Sequence, residues 1–111
     1  MQIRVSRLGA ATYVTPEGPI TVDGVEALME RVATLREEGR RDFVVNLEQV
    51  PVIDSAALEA FVDLFTDLRE GGGSLRLANV NGLCRQIFMI TRVDQTIPLL
   101  DDLESAGRSF L

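Results

Sequence analysis

Twice in this chain an extended apolar stretch gives way to a helical stripe, and that change of period constrains the fold more than any other feature. Val25, Leu28, Met29, Val32 and Leu35 fall at i, i+3, i+4, i+7 and i+10, a spacing that places apolar side chains on one side of a helix. Leu58, Phe61, Val62, Phe65 and Leu68 repeat the series, with Ala60 and Leu64 widening the face. Between them, "DFVVNLEQV" carries Phe43, Val44, Val45 and Leu47 with little alternation, the pattern of a strand buried on both faces. Strands alternating with helices imply a sheet covered by helices.

Local signals set the boundaries. "QIRVSRL" alternates, with Ile3 and Val5 on one face, and "AATYVT" reads as a weaker neighbouring strand closed by Pro16, Gly18 and Pro19. These two strands make the sheet mixed rather than purely parallel. The first helix is expected from Asp23 to Glu38, with Asp23 and Glu26 spaced as a capping box and Gly39 as its stop. Val50-Pro51-Val52-Ile53 is extended, because proline disfavours helix in the residue before it. A second helix follows over 56–70 and ends at the triple glycine 71–73. No strand precedes those glycines and no Gly-Lys-Ser/Thr follows, so they read as a helix stop rather than a phosphate cradle. "SLRLANV" is another strand, and "NGLCRQIFMIT" a short helix with Leu83, Ile87 and Ile90 on one side. The tail "IPLLDDLESAGRSFL" is expected to be one more helix beginning near Pro98, a residue compatible with a helix's first turn.

Composition narrows the function. The 111 residues, 46% hydrophobic and 25% charged, suit one compact domain spanning 1–111. A net charge of −6 opposes binding to nucleic acid, where affinity comes mainly from cations neutralising phosphates, and it disfavours acidic membrane surfaces. No run is long enough to span a bilayer, and the N-terminus lacks the apolar segment of a secretory signal. The lone Cys84, beside Leu83 and Ile87, reads as a small core residue and suits a reducing cytoplasm. Histidine is absent, which removes His-based triads, the usual zinc ligand sets and the commonest general base. No cofactor is implied.

Asp54 and Ser55 stand where the extended segment hands over to the second helix. Either side chain can cap that helix, an interaction worth about 1 kcal/mol. A serine at such a turn can also be reached from outside, and a phosphate on it would meet the positive end of the helix dipole. Both readings stay open on position alone. Glu59, Asp63 and Asp67 follow at intervals of four. They form either a solvated face or an acidic stripe that meets a basic partner surface and selects the partner.

The segment 44–80, "VVNLEQVPVIDSAALEAFVDLFTDLREGGGSLRLANV", resembles the core signature of the STAS domain, the fold of anti-sigma factor antagonists. In that family a V-V-N/D-L strand leads to D-S-x-G-L, a helix, G-G and a strand ending near A-N-V. Gly18 and Ile20 are similar to the family's turn before its first helix. "VNGLCRQIFMITRVDQTIPLL" is similar to its later helix and final strand. Ala57 stands where the family has glycine, and Glu59 where a small residue is common.

The resemblance implies an α/β fold, a mixed sheet of about four to five strands covered by about four helices. It implies an anti-sigma factor antagonist that is not an enzyme. In its unphosphorylated form such a protein binds an anti-sigma factor that is also a serine kinase, frees the sigma factor, and is switched off by phosphorylation at Ser55. A metal-dependent serine phosphatase resets it. The residues expected to meet the partner are Asp54, Ser55, Ala56, Ala57, Glu59 and Asp63. The alternative within the family is a non-switching adaptor, a subunit of a transporter ATPase or of a stress-signalling assembly.

Overall fold

A computed structural model describes residues 1–110. Five strands, β1 (Gln2–Leu8), β2 (Ala11–Glu17), β3 (Asp42–Asn46), β4 (Ser74–Ala78) and β5 (Leu99–Leu100), lie in the order β1-β2-β3-β4-β5. β1 runs antiparallel to β2, and every other neighbouring pair is parallel. The helices are α1 (Val22–Glu37), α2 (Ser55–Glu70), α3 (Gly82–Ile90) and α4 (Leu103–Arg108). No helix among the described residues is long and apolar enough to cross a membrane.

Strand order equal to chain order has a direct consequence. Three successive right-handed crossovers that always step the same way place α1, α2 and α3 on one face of the sheet. The main core lies there: Val14, Phe43, Val45, Leu75 and Leu77 pack with Leu28, Val32, Phe61 and Leu68. The other face carries a smaller cluster, in which Ala11, Tyr13, Val44 and Ala78 meet Ala106 of α4. β3 is covered on both sides, which accounts for its unbroken apolar run.

The two long helices lie within a residue of their expected bounds, whereas three local expectations fail. The Asp23–Glu26 capping box does not form at α1; its N-cap is Thr21, with no side-chain cap bond. β2 continues through Pro16 to Glu17 because the antiparallel ladder with β1 pairs Ile3 with Pro16 and Gln2 with Glu17, although the pairing with β3 ends at Val14↔Val45. The tail is not a helix from Pro98. The Pro98 carbonyl accepts the Leu77 N–H at 3.0 Å and Leu99 pairs with Leu77, so a short strand forms first and α4 starts only after Asp102.

The triple glycine does stop α2. Gly72 has φ +84°, a left-handed conformation that favours glycine. A Cβ on Gly73 would collide with the Arg41 carbonyl, beside which β4 begins.

Candidate functional site

In a parallel sheet, helices start at the carboxyl ends of the strands. Here the N-termini of α1, α2 and α3 therefore gather at one end of the molecule, around the loop over 50–54. Backbone bonds join that loop to the segment before α1. The Ile20 N–H donates to the Val52 carbonyl at 3.0 Å and the Asp54 N–H to the Ile20 carbonyl at 3.2 Å, closing a parallel bridge between Ile20 and Ile53.

Asp54 then joins the two helices. Its Oδ1 accepts the Ala57 N–H at 3.0 Å, capping α2, and its Oδ2 accepts the Val22 N–H at 2.9 Å, serving the start of α1. One carboxylate thus satisfies an orphan donor on each helix. Asn81 does similar work for α3. Its Oδ1 accepts the Cys84 N–H at 2.8 Å, and its Nδ2 donates to the Val50 and Pro51 carbonyls at 3.0 and 3.3 Å.

Because Asp54 is the cap, the Ser55 hydroxyl is left out of that role. Ser55 is the first residue of α2 and is exposed, so of the two capping candidates the aspartate takes the job. Ala56 is half-buried and Glu59 exposed. Ala57 corrects the expected contact set: at 0% exposure its methyl group belongs to the core, and its place in the motif serves packing. Asp63 and Asp67, further along α2, line a groove beside α1 with Arg36.

Three exposed apolar residues at the same end of the molecule were missed by sequence reasoning. Val22 is 65% exposed, Val52 38% and Leu83 55%. Val22 follows from the Asp54 bond, Val52 stands two residues before Asp54, and Leu83 lies in the first turn of α3. Of the expected side of α3, Leu83, Ile87 and Ile90, only Ile87 packs against the core; Cys84 and Phe88 are the buried residues and Ile90 is 82% exposed. The buried strip of α3 runs along the i, i+4 row of Cys84 and Phe88, one position round from the row of Leu83.

Cys84 is fully buried, and desolvation pushes its thiol above the ordinary range, offset in part by hydrogen bonds to Asn81 and Ile53. That is the environment of an inert core cysteine.

The model of the STAS domain matches residues 2–106. The anti-sigma-B factor antagonist of Bacillus subtilis (strain 168) is 33% identical over 82 residues, 74% of this chain and 74% of its own. Among solved structures, the Bacillus cell fate determinant SpoIIAA in its phosphorylated form superposes with a TM-score of 0.73 at 15% identity, covering 97% of this chain and 99% of its own. A sulfate transporter family protein from Wolinella succinogenes gives 0.77 at 19% identity, covering 89% of this chain and 83% of that one. At those identities the two structures speak for the fold alone. On the match of its sequence from strand β1 to α4, this chain belongs to the STAS domain family, with relatives that are anti-sigma factor antagonists.

Proposed function

We propose that the protein is an anti-sigma factor antagonist whose contact with an anti-sigma factor serine kinase is broken by phosphorylation of Ser55. The observation that carries this reading is the division of labour at the turn. Asp54 holds both helix N-termini, so Ser55 is exposed and its hydroxyl is not needed for the cap.

The exposed side chains of Val22, Val52 and Leu83, with the half-buried Ala56, supply apolar contact area, and Asp54 and Glu59 a polar margin. Unmodified, this surface docks on the kinase and the sigma factor is released. A phosphate on Ser55 adds about −1.5 to −2 charges. It would stand among Asp54 and Glu59, and neither 22–30 nor 50–67 contains a basic residue to compensate it. Burying such a dianion in an interface costs several kcal/mol, and about 1.4 kcal/mol is a tenfold loss of affinity. A serine phosphatase then restores the binding form. On this reading the protein acts in the cytoplasm as a regulator; with no histidine in the chain, Ser55 lacks the usual base of a nucleophile.

The second reading, a non-switching adaptor, draws on the fold shared with the transporter family protein. Affinity capture with wild type and Ser55→Asp separates the two. An ATP-binding serine kinase retained by wild type and lost by Ser55→Asp supports the switch. Equal retention by both, or capture of a transporter subunit, supports the adaptor.

A further inference from the structure

A groove of about 330 Å³ runs between α1 and α2, away from the loops that carry Ser55. Its apolar lining includes Met29, Ala33, Ala60 and Leu64. The small side chains Ala33 and Ala60 leave the helices unfilled between them, as ridges of larger residues would not.

Charge along the rims is acidic over most of their length, with Arg36, Arg40 and Arg41 gathered beyond Ala33, at and just past the C-terminal end of α1. Asp63 and Asp67 line the α2 wall, and Glu59 precedes them by one turn. On α1, Glu26, Glu30 and Glu37 are exposed and stand at −7, −3 and +4 from Ala33, hence on the same side of the helix. None of these six carboxylates is in an ion pair among the described residues. The one cation in the lining is Arg36, at the far end. Like charges spaced four apart oppose helix formation, and no ion pair among the described residues offsets them.

We propose that this groove is a second docking surface that takes a basic amphipathic α-helix from a partner protein. Such a helix lays apolar anchors over Ala33 and Ala60 while its flanking lysines and arginines meet the two acidic rims. The lining of the groove on α2 runs from Ala60 to Asp67, roughly 10 Å at the helical rise and room for about two turns of occupant. A second copy of this chain is disfavoured, because it carries the same net charge of −6. Nucleic acid and anionic lipid are opposed by the same sign.

The groove lies on the α1 side of α2 and Ser55 is outside its lining. This contact therefore survives modification of Ser55, and it would keep a partner tethered while the switch is off. The inference stands whether or not Ser55 is phosphorylated.

The test is a titration of the nitrogen-15-labelled full chain with a synthetic Leu/Ala/Lys amphipathic peptide of about sixteen residues, long enough for some helix in solution. The expected result is saturable shifts confined to amides over 29–36 and 60–67. Affinity falls on the order of tenfold in the double variant Asp63→Lys/Asp67→Lys. It also falls in Ala60→Leu, which fills the floor, and is unchanged in Ser55→Asp. Dispersed spectra of each variant verify its fold. The proposal is overturned by scattered shifts, by absence of saturation, by equal affinity for a scrambled peptide of the same composition, or by equal loss in Ser55→Asp.

Discussion

Asp54 accepts one backbone N–H from each of two helices, at 2.9 Å from Val22 and 3.0 Å from Ala57. Replacing an N-cap carboxylate by alanine costs about 1 kcal/mol per cap. Asp54→Ala removes two such bonds at a half-buried position, so the expected loss is about 2 kcal/mol. With about 2.1 cal/mol/K of unfolding entropy per residue over 111 residues, that lowers Tm by roughly 9 °C. Asp54→Asn is the sharper variant. Its single carbonyl oxygen still caps α2, since asparagine caps as well as aspartate, but the amide nitrogen cannot accept from Val22. The expected loss is then about 1 kcal/mol, half that of alanine. Urea denaturation measures both, and amide exchange at Val22 and Asp23 localises the second bond. An asparagine variant as stable as wild type would refute the bridging role. An alanine variant within about 0.5 kcal/mol of wild type, the range of ordinary surface changes, would refute the cap itself.

Leu83→Ala should weaken binding of the captured partner by about tenfold while leaving the urea midpoint unchanged, whereas Ile90→Ala, at the opposite end of α3, should leave both unchanged; the reverse order would move the contact surface away from Ser55. Cys84 should resist a thiol reagent under native conditions and react only as the chain unfolds, because it is fully buried with its thiol pushed up by desolvation; immediate stoichiometric labelling would contradict that. Hydrogen bonds from the Ser105 N–H and hydroxyl hold the exposed Asp102 carboxyl below its ordinary 3.8. The cap on α4 is therefore fully present above that value and is lost as pH falls through the lowered one. Amide exchange at Ser105 and Ala106 should accelerate below about pH 4 in wild type, and the acceleration should be absent in Asp102→Asn.

The parts legible in the sequence are those where one face is buried and the other wet. α1 and α2 obey that rule over 16 residues each, and their bounds follow from periodicity within a residue. β3 was legible as a doubly covered strand, although only the fold shows that α4 supplies the second cover through Ala106. The tail was legible only through the family resemblance, which put a final strand at its start where β5 lies, and not from its own residue pattern. Pro98 is compatible with a helix start, and what makes it extended is a long-range bond from Leu77. Asp54 was visible as a cap for its own helix but not for α1, 32 residues earlier, because no local pattern encodes that contact. The capping box at Asp23 failed for the same reason, since Asp54 already serves the first donor of α1. Ala57 was placed among the contact residues by its motif position, and only packing reveals that it faces inward.

The most direct test of the account is to incubate the purified chain with ATP and lysate of its own cells, then map the phosphate by mass spectrometry in wild type and Ser55→Ala. The account predicts a single phosphate on Ser55, none on the alanine variant, and loss of the kinase from the phosphorylated fraction while the unmodified fraction retains it. Phosphate at another residue, or a Ser55-phosphorylated fraction that still holds the kinase, would contradict it.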